Sequence, residues 1–402
     1  MNETQASRQG TPDYRIVGRH GVFPEFTHDE TERFNFLAQM NRHLGDRVLP
    51  AVRGVFENRV APKHAAEGKT FRTRHDVRRA LLADPYYQMW SALRRATMEQ
   101  RQEAGRWVTM RQAEALAEKV DAIVGEDEDL KTDPTVPVPR YVSAVDHHCM
   151  PGSYHTEAFP GDVAGAANYD CGNFVTTGGA MGRYTDGAGR GVVDWLQRKY
   201  PQFKPREILE IGATVGHTLV PIPQAYSQAS VVGIDVGLPV LRYGLARARS
   251  LGVGNLRFVQ ADGADMRCFQ DESFDLVITS MFLHELSYSS LRAVLRETYR
   301  VLRPGGIVLH IEQPQYAASM PLFEQAMRDW DGFYNNEPFW SMLHEMDLDS
   351  FMCESGFKKA ELIHDTVTAI VDPYTFPGSR ETASENFGRR AAWHVMGSRK
   401  TA

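Results

Sequence analysis

The spacing of apolar positions changes along the chain, and each spacing predicts a different kind of structure. Between residues 31 and 122, apolar side chains recur every three to four residues, which is the period of amphipathic helices. From about residue 205 to 315, short apolar runs alternate with helical patterns. Strands that alternate with helices predict a parallel, doubly wound sheet. We therefore expect an α/β protein with a helical N-terminal region.

The apolar runs also predict where the strands lie. Five strands are expected at 207–211, 231–235, 256–260, 274–280 and 306–312. Two more are expected in the C-terminal tail, within 358–371 and 391–398. A stretch that is first acidic and then rich in proline, 125–140, indicates a linker. The predicted domains are therefore 1–140, helical with its linker, and 141–402, the α/β domain.

Composition narrows the class of protein. The 402 residues include 42% hydrophobic and 24% charged residues, and the net charge is −6. The acidic balance argues against nucleic acid as a partner, and the basic cluster 72–79 is interpreted as a solvated helix face. The apolar runs are too short for a membrane span, and the polar first residues do not resemble a secretion signal. Four scattered cysteines favour reduced thiols, so a cytoplasmic location is expected.

A glycine turn follows the first predicted strand, in the stretch ILEIGATVGHT at 208–218. Gly212 and Gly216 are present, but Thr214 stands where a second glycine is usual. The spacing G-x-G-x-x-G that dinucleotides require is absent, and the loop does not end in the lysine of a phosphate-binding loop. The β carbon of Thr214 is expected to hold φ negative and to narrow the loop.

Acidic residues end three successive predicted strands. Glu210 lies at the end of the first strand, Asp235 ends the second, and Asp262 follows the third. Carboxylates beside a glycine turn suit ribose hydroxyls and an adenine amine, and they suit a cationic amino-acid group better than a phosphate.

Taken in order, the motifs resemble those of the class I S-adenosylmethionine-dependent methyltransferases. The motifs are LEIGATVG, GIDVG, QADGADM, FDLVITSMFLHEL and VLRPGGIVLHIE, and they span about 205–315. The nearest branch is the one for small molecules that includes the ubiquinone and menaquinone C-methyltransferases. The resemblance implies a Rossmann-like methyltransferase sheet, S-adenosylmethionine as the cofactor and a small-molecule substrate. A homodimer is left open.

The resemblance also implies which residues hold the cofactor. Asp235 would bind the ribose hydroxyls, Asp262 would accept from the adenine amine, and Gly212 would let the backbone approach the methionine part. Ser280 and Met281 would border the sulfonium and the acceptor. The full implied set is Glu210, Gly212, Ala213, Thr214, Gly216, Asp235, Val236, Asp262, Gly263, Ser280 and Met281, with Arg183 and Tyr184 from a preceding glycine-rich segment.

Methyl transfer from a sulfonium needs aligned partners and, for many acceptors, a group that removes a proton. His284, which follows the fourth strand, is the candidate base, with a pocket-lining or turn-capping role as the alternative, and Glu285 and His148 are the other catalytic candidates. His148 belongs to a histidine- and cysteine-containing stretch, formed by His147, His148, Cys149 and His155. Neighbouring histidines on an extended segment point to opposite faces. We predict no metal there; ordinary structure and a substrate-facing loop are the two interpretations of the stretch, and metal binding is the remaining alternative.

An aromatic insert at 328–343 is predicted to be a substrate lid. Trp330, Tyr334 and Phe339 are the expected acceptor-binding residues, and core packing or a dimer contact is the alternative. The predicted function is methyl transfer to oxygen or nitrogen, with carbon also open, of a small molecule from specialised metabolism or natural product biosynthesis. Two alternatives are a peptide or protein carboxylate as acceptor and a non-catalytic S-adenosylmethionine-binding subunit.

Overall fold

The fold is built around one sheet. The computed structural model describes residues 11–125, 128–316, 319–372 and 392–401, and the strands in these ranges form an eight-stranded sheet in the order β1-β4-β3-β2-β5-β6-β8-β7. The strands are β1 Leu130–Lys131, β2 Glu207–Ile211, β3 Ser230–Asp235, β4 Leu256–Gln260, β5 Phe274–Ser280, β6 Leu302–Glu312, β7 Leu362–Thr368 and β8 Ala392–Arg399. Pairing is parallel from β1 through β6, whereas β8 is antiparallel to both β6 and β7.

The predicted fold class is confirmed: the protein has a Rossmann-like α/β sheet with a helical N-terminal region. The helices are α1 His28–His43, α2 Leu49–Val55, α3 Ala61–Ala66, α4 Arg74–Leu82, α5 Pro85–Met110, α6 Ala113–Val124, α7 Arg140–Ser143, α8 Ala164–Thr177, α9 Gly187–Lys199, α10 Pro221–Ala225, α11 Leu238–Ser250, α12 Tyr288–Val301, α13 Leu322–Arg328, α14 Trp330–Tyr334, α15 Trp340–Glu345 and α16 Leu348–Glu354. Within the described segments, no helix combines the length and the apolar content needed to cross a membrane.

The central strands are apolar because both faces of the sheet are covered. Ile208, Leu209 and Ile211 of β2 are almost fully buried, and they divide between two hydrophobic cores, one on each face. Continuous apolar runs of this kind are typical of parallel strands between two helical layers. Because β2 lies between β3 and β5, the strand order reverses at β2. The crevice at the carboxyl ends of these strands is where open α/β sheets bind ligands.

The predicted linker contributes to the sheet. Leu130 and Lys131 form an edge strand that pairs in parallel with Phe258 and Val259 of β4. A strand of two residues is too short to leave a periodic pattern, which is why the sequence indicated only a linker. The first ten residues, which the sequence analysis described as polar, lie outside the described residues.

The helical region and the aromatic insert share one hydrophobic core. Trp90 of α5 packs edge-on against Trp330 of the insert, with ring centroids 5.8 Å apart. Buried Arg74 of α4 forms ion pairs with Asp329 and Glu345. The interpretation of 72–79 as a solvated helix face was therefore wrong at Arg74, because the insert supplies carboxylates that are distant in sequence.

Candidate active site

The glycine loop after β2 follows a left-handed path at three positions. Gly212 has φ 74°, Gly216 has φ 77°, and Thr214 between them has φ 45°. The expectation of a negative φ at Thr214 was therefore wrong. A left-handed conformation costs a non-glycine residue about 1–2 kcal/mol, and here the Thr214 N–H donates to Oδ2 of Asp235 at 3.2 Å. The loop thus keeps the shape of a glycine-rich turn despite the threonine.

Gly212 is required by packing as well as by its backbone conformation. A β carbon at this position would lie 2.3 Å from the ring of Phe282. A β carbon on Gly263 would lie 2.5 Å from Ile211 and 3.7 Å from the same Phe282 ring. Phe282, which the sequence analysis did not single out, therefore fills the space between these two glycines and forms part of the wall of the crevice.

We expect Gly212→Ala to lower the free energy of unfolding by about 1–3 kcal/mol, because an added carbon overpacks against Phe282 and φ is positive. The same substitution should cost less in a Phe282→Ala background, where the ring is gone. Urea denaturation of the wild type, both single variants and the double variant measures this coupling. Strictly additive effects would show that the ring does not limit residue 212.

Three carboxyl groups lie at the carboxyl ends of β2, β3 and β4, as the sequence indicated. Asp235 accepts from the N–H groups of Thr214 and Gly237 at 3.2 and 2.9 Å, and Asp262 accepts from Ala264 at 2.8 Å. Burial raises the pKa of Asp235 to about 6 and also raises the pKa of Asp262. These are carboxyl groups that a ligand's donors would stabilise in the ionised form.

Glu210 is the most enclosed of the three acids. Its side chain is buried, and burial raises its pKa well above the ordinary value. Within the described part of the chain, its Oε2 has no hydrogen-bond partner. An orphaned buried acceptor is costly unless a donor reaches it. The implied cofactor fits this site. Its amino-acid and nucleoside parts could supply the donor that Glu210 lacks, and the backbone at Gly212 and Gly263 carries no side chain that would block them.

The other implied cofactor residues of the core lie on the loops of this sheet edge. Ser280 accepts from the hydroxyl of Thr218 at 3.1 Å, and Met281 has φ 50° and donates its N–H to Ile311 at 2.8 Å. The carbonyl of Val236 accepts from Gln260 at 3.2 Å. Ala213 and Gly216 are buried within the glycine loop itself.

Arg183 and Tyr184 are engaged by the N-terminal segment. The exposed Arg183 guanidinium donates to the carbonyl of Ile16 at 3.2 Å, and the Tyr184 ring packs against Gly18. In the structure, both side chains therefore contact the start of the chain, and contact with the cofactor stays a prediction. The physical reason is the segment before α1, whose path the pattern of apolar residues did not predict.

Two of the predicted catalytic residues meet beside the crevice. His148 Nε2 lies 3.2 Å from Glu285 Oε1, and His148 Nδ1 lies 3.1 Å from Glu337 Oε1. The third, His284, lies behind them, with Nδ1 2.8 Å from Glu312 Oε2 and Nε2 3.6 Å from Glu337 Oε2. We call these five residues the acid–base cluster.

The acid–base cluster has an accessible front and a buried rear. The side chains of His148 and Glu285 are 29% and 18% exposed, whereas those of His284, Glu312 and Glu337 are between 1% and 3% exposed. Burial opposes the charge on His148, but Glu337 and Glu285 raise its pKa to about 10. Burial likewise opposes ionisation of Glu285, yet His148 lowers the Glu285 pKa to about 2. The front is therefore a carboxylate held against an imidazolium.

His284 does not fit the predicted role of base. Burial alone would lower its pKa, but Glu312 and Glu337 raise the pKa of His284 to about 9. A protonated, enclosed imidazole cannot accept a proton at neutral pH. The sequence could not show this charge state, because Glu312 and Glu337 are distant from His284 in the chain and meet it only in the folded protein. Glu312 follows the same pattern as the acids that end β2 and β3, and that pattern could have revealed it.

We expect the free energy of unfolding to fall as pH rises from about 6.5 to about 9. His284 has a pKa near 6.5 in the unfolded chain and about 9 in the fold, so its stabilising effect is complete below the first value and is lost through the second. Urea denaturation across this range measures the slope. A His284→Asn variant should have a shallower slope, and an unchanged slope would contradict the charged state of His284.

A strained turn places His148 in the crevice. His148 and Cys149 have φ 52° and 57°, values that side chains other than glycine rarely adopt. His147 turns the other way, with Nδ1 3.2 Å from Ser153 Oγ. Across the described ranges, no group of three or more histidine, cysteine or acidic side chains is arranged to hold a metal ion, the stretch with His155 included.

Aromatic side chains enclose the front of the acid–base cluster. The Tyr154 hydroxyl lies 3.3 Å from Glu285 Oε1, and its ring meets Tyr169 edge-on at 5.4 Å. Tyr141 packs edge-on against Phe339, with centroids 6.0 Å apart. Burial raises the pKa of Tyr141 to about 12, and the charges of Asp262, Glu285 and Asp235 act in the same direction. Tyr141 therefore lies near both the cofactor acids and the cluster. The sequence did not single out Tyr141 or Tyr154, because isolated tyrosines carry no pattern.

Two of the three predicted acceptor-binding aromatics face the helical region instead. Trp330 is buried and donates its indole N–H to Ser91 at 2.8 Å. The Tyr334 hydroxyl accepts from Arg78 at 3.1 Å. The prediction for Trp330 is corrected, because α4 and α5 cover the indole, and Tyr334 is likewise turned toward α4. Phe339 alone among the three packs beside Tyr141 at the crevice.

The fold and the site define a class I S-adenosylmethionine-dependent methyltransferase domain. Residues 208–306 match the family model described as a methyltransferase domain. This match covers the glycine loop, the three acids and the front carboxylate. For this segment, it confirms the resemblance predicted from the motifs: a methyltransferase domain of the kind that takes S-adenosylmethionine as its cofactor.

Three curated relatives place the domain among known proteins. An uncharacterized methyltransferase of Synechocystis is 30% identical over 152 residues, which is 38% of this chain and 66% of that protein. A tRNA N(3)-methylcytidine methyltransferase of Drosophila melanogaster is 25% identical over 188 residues, 42% of this chain and 58% of that protein. A ubiquinone/menaquinone biosynthesis C-methyltransferase of Escherichia fergusonii is 30% identical over 148 residues, 36% of this chain and 56% of that protein.

The similarity is confined to part of each protein. The chain spans between 56 and 66% of the length of these relatives. Their names give different acceptors, a tRNA base in one case and a quinone pathway in another. The shared segment therefore indicates the methyl donor. It does not identify the acceptor, which depends on this chain's own residues.

Proposed function

We propose that this protein transfers a methyl group from S-adenosylmethionine to oxygen or nitrogen of a small molecule, with carbon as the further option. The observation that carries the proposal is the pair of His148 and Glu285, 3.2 Å apart, which lies beside the crevice of Asp235. Burial is the largest cause that raises the pKa of Asp235, and the charge of Glu285 acts in the same direction, more weakly than the opposing hydrogen bonds from Gly237 and Thr214. A proton acceptor next to a donor site is the arrangement that methyl transfer to a hydroxyl or an amine needs.

The roles of the residues follow from their charges. S-adenosylmethionine, when bound, supplies an activated methyl group. Asp235 and Asp262 would hold its ribose and adenine, and Glu210 offers the unpartnered acceptor oxygen. Glu285 is ionised and accessible, so it receives the proton that a hydroxyl or amine acceptor loses as its new bond to carbon forms. His148 keeps its own proton, holds Glu285 in the ionised form and donates a hydrogen bond.

The charges around the crevice favour a neutral or cationic acceptor. Asp235, Asp262 and Glu285 face it, and of the two imidazoles in the cluster only His148 is accessible. An anionic group would meet like charge there, which disfavours the alternative of a peptide or protein carboxylate. Aromatic walls suit a planar or amphipathic molecule. A role in specialised metabolism and a cytoplasmic location belong to the same proposal. The four free cysteines support the location, because thiols stay reduced in the cytoplasm.

Calorimetry with S-adenosylmethionine and S-adenosylhomocysteine tests the donor, and mass spectrometry of a panel of phenols, alcohols and amines tests the acceptor. We expect both nucleosides to bind and at least one acceptor class to gain the mass of one methyl group. Binding of both nucleosides without transfer to any acceptor would favour the non-catalytic subunit. Absence of donor binding at millimolar concentration would overturn the proposal.

A further inference from the structure

Residues 11–26 form an N-terminal strap that crosses the methyltransferase domain beside the glycine loop. The Tyr14 hydroxyl donates to the carbonyl of Cys171 in α8 at 2.9 Å. The Gly18 N–H donates to the carbonyl of Arg183 at 2.8 Å. The strap is therefore attached to α8 and to the segment that follows α8, although it lies far from the glycine loop in sequence.

A buried carboxylate joins the strap to the glycine loop. Asp170 of α8 is 6% exposed, and its two oxygens serve different elements. Oδ2 lies 2.7 Å from His20 Nε2 of the strap and accepts from the Tyr243 hydroxyl at 2.8 Å. Oδ1 lies 2.6 Å from Nε2 of His217, the residue after Gly216. One side chain thus holds the strap, α11 and the end of the loop.

Arg247 provides a second connection to the same loop. It is fully buried, its Nε lies 3.8 Å from Asp170 Oδ1, and its Nη1 donates to the carbonyl of Gly216 at 3.4 Å. Burial alone would raise the pKa of Asp170, but His20, His217 and Arg247 hold it well below the ordinary value. The carboxylate is therefore charged, and each donor that surrounds it is needed to offset its burial.

The glycine loop needs support from outside its own sequence. Thr214 occupies a left-handed conformation that favours glycine. The ring of Tyr169, the neighbour of Asp170 in α8, lies 5.4 Å from the His217 ring. Two successive residues of α8 therefore contact the end of the loop at His217. Strained loops of this kind persist only where the surroundings fix them.

We infer that Asp170 is a positioning residue for the methyl donor, and that the strap, through His20, holds Asp170 and His217 in the geometry that shapes the glycine loop. The inference deepens the proposed function and rests on donor binding. His217 does not need to contact S-adenosylmethionine. It acts through the backbone of Gly216 and the residues before it.

The test compares His20→Ala, His20→Gln and Arg15→Ala in the full-length protein. Glutamine can place its Nε2 where His20 Nε2 lies, whereas alanine cannot. Arg15 lies in the same strap, but its partners Asp13 and Glu32 are exposed, so its replacement is the matched control. Two quantities are measured for each variant: the Kd for S-adenosylmethionine and the hydrogen exchange of residues 212–218 in the ligand-free protein.

We expect His20→Ala to weaken donor binding by about tenfold, the effect of losing one hydrogen bond to a charged group, and to speed exchange in 212–218. His20→Gln should recover most of the affinity, and Arg15→Ala should match the wild type. Wild-type affinity and wild-type exchange in His20→Ala would overturn the inference, as would equal losses in Arg15→Ala. Asp170→Asn serves as a second variant, with the same loss expected where it folds. If the wild type itself bound no donor, the proposed function would fail, and the exchange rates would still decide whether the strap holds the loop.

Discussion

Replacing Asp235 with asparagine is expected to weaken S-adenosylmethionine binding by about 30- to 100-fold. The carboxylate is the partner proposed for two ribose hydroxyls, and hydrogen bonds to a charged group contribute about 1.5–3 kcal/mol. Asparagine keeps one acceptor oxygen, so it can still bond either Thr214 or Gly237 of the two N–H groups that Asp235 serves. The loss should therefore report on the ligand rather than on collapse of the loop.

The same substitution should remove a pH dependence from the stability of the ligand-free protein. Burial raises the pKa of Asp235 to about 6 in the fold, against about 3.9 for an unfolded aspartate. The unfolded chain therefore releases its proton first, and the folded protein loses stability as pH rises from about 4 to about 6. Asparagine removes that loss. Stability given up at a ligand site is a familiar cost of function.

Calorimetry gives the donor Kd, and urea denaturation at about pH 4.5 and 7 gives the stability. Asp265→Asn is the matched control, because Asp265 lies in the loop after β4 and its partner is the exposed Arg267. Donor affinity in the control should stay within about twofold of the wild type, since an exposed ion pair contributes little. Unchanged donor affinity in Asp235→Asn would remove this residue from the cofactor site.

Glu285→Gln is expected to lower turnover by about 100- to 1,000-fold while the donor Kd changes by less than about threefold. Proton transfer by a positioned side chain contributes rate factors of about 10²–10⁴. Glutamine has the shape of the carboxylate but cannot accept the acceptor's proton. His148 would keep Glu337 as its charged partner, at 3.1 Å, so the front of the acid–base cluster should stay in place.

Tyr154→Phe is the graded control for this experiment. It removes the hydroxyl 3.3 Å from Glu285 Oε1 and leaves the charge, so turnover should fall by only about tenfold. Because Glu285 ionises near pH 2 and His148 near pH 10, turnover at saturating donor should be flat between about pH 6 and 8. Wild-type turnover in Glu285→Gln would show that another group receives the proton. A parallel loss of donor affinity would place Glu285 in the cofactor site instead.

The acid–base cluster illustrates how far the sequence could lead. His284 and Glu285 were singled out by residue type and by their position just after a strand, and His148 by the stretch of histidines around it. The structure gathers all three. Their roles were not predictable, because Glu312 and Glu337 determine which imidazole is enclosed and which carboxylate stays accessible. A charge state depends on every neighbour within a few ångströms, and those neighbours come from distant segments.

The aromatic insert illustrates the opposite outcome. Its residues predicted a substrate lid, but Trp330 packs against Trp90 in the helical region. Asp329, the residue before Trp330, forms an ion pair with Arg74. An aromatic side chain looks the same in sequence whether it lines a pocket or fills a core. Only the position of α4 and α5 decides between the two, and nothing in residues 328–343 encodes that position.

The sequence by itself determined the strands of the sheet other than β1, the glycine turn after β2 and the acids at the strand ends. These features depend on short-range spacing, because side chains alternate along a strand and a strand end meets its own loop. Tertiary structure alone decided the left-handed Thr214, the charged state of His284 and the connection from His20 through Asp170 to His217. Each of these depends on groups that the chain brings together only after it has folded, and burial then makes their charges interact strongly.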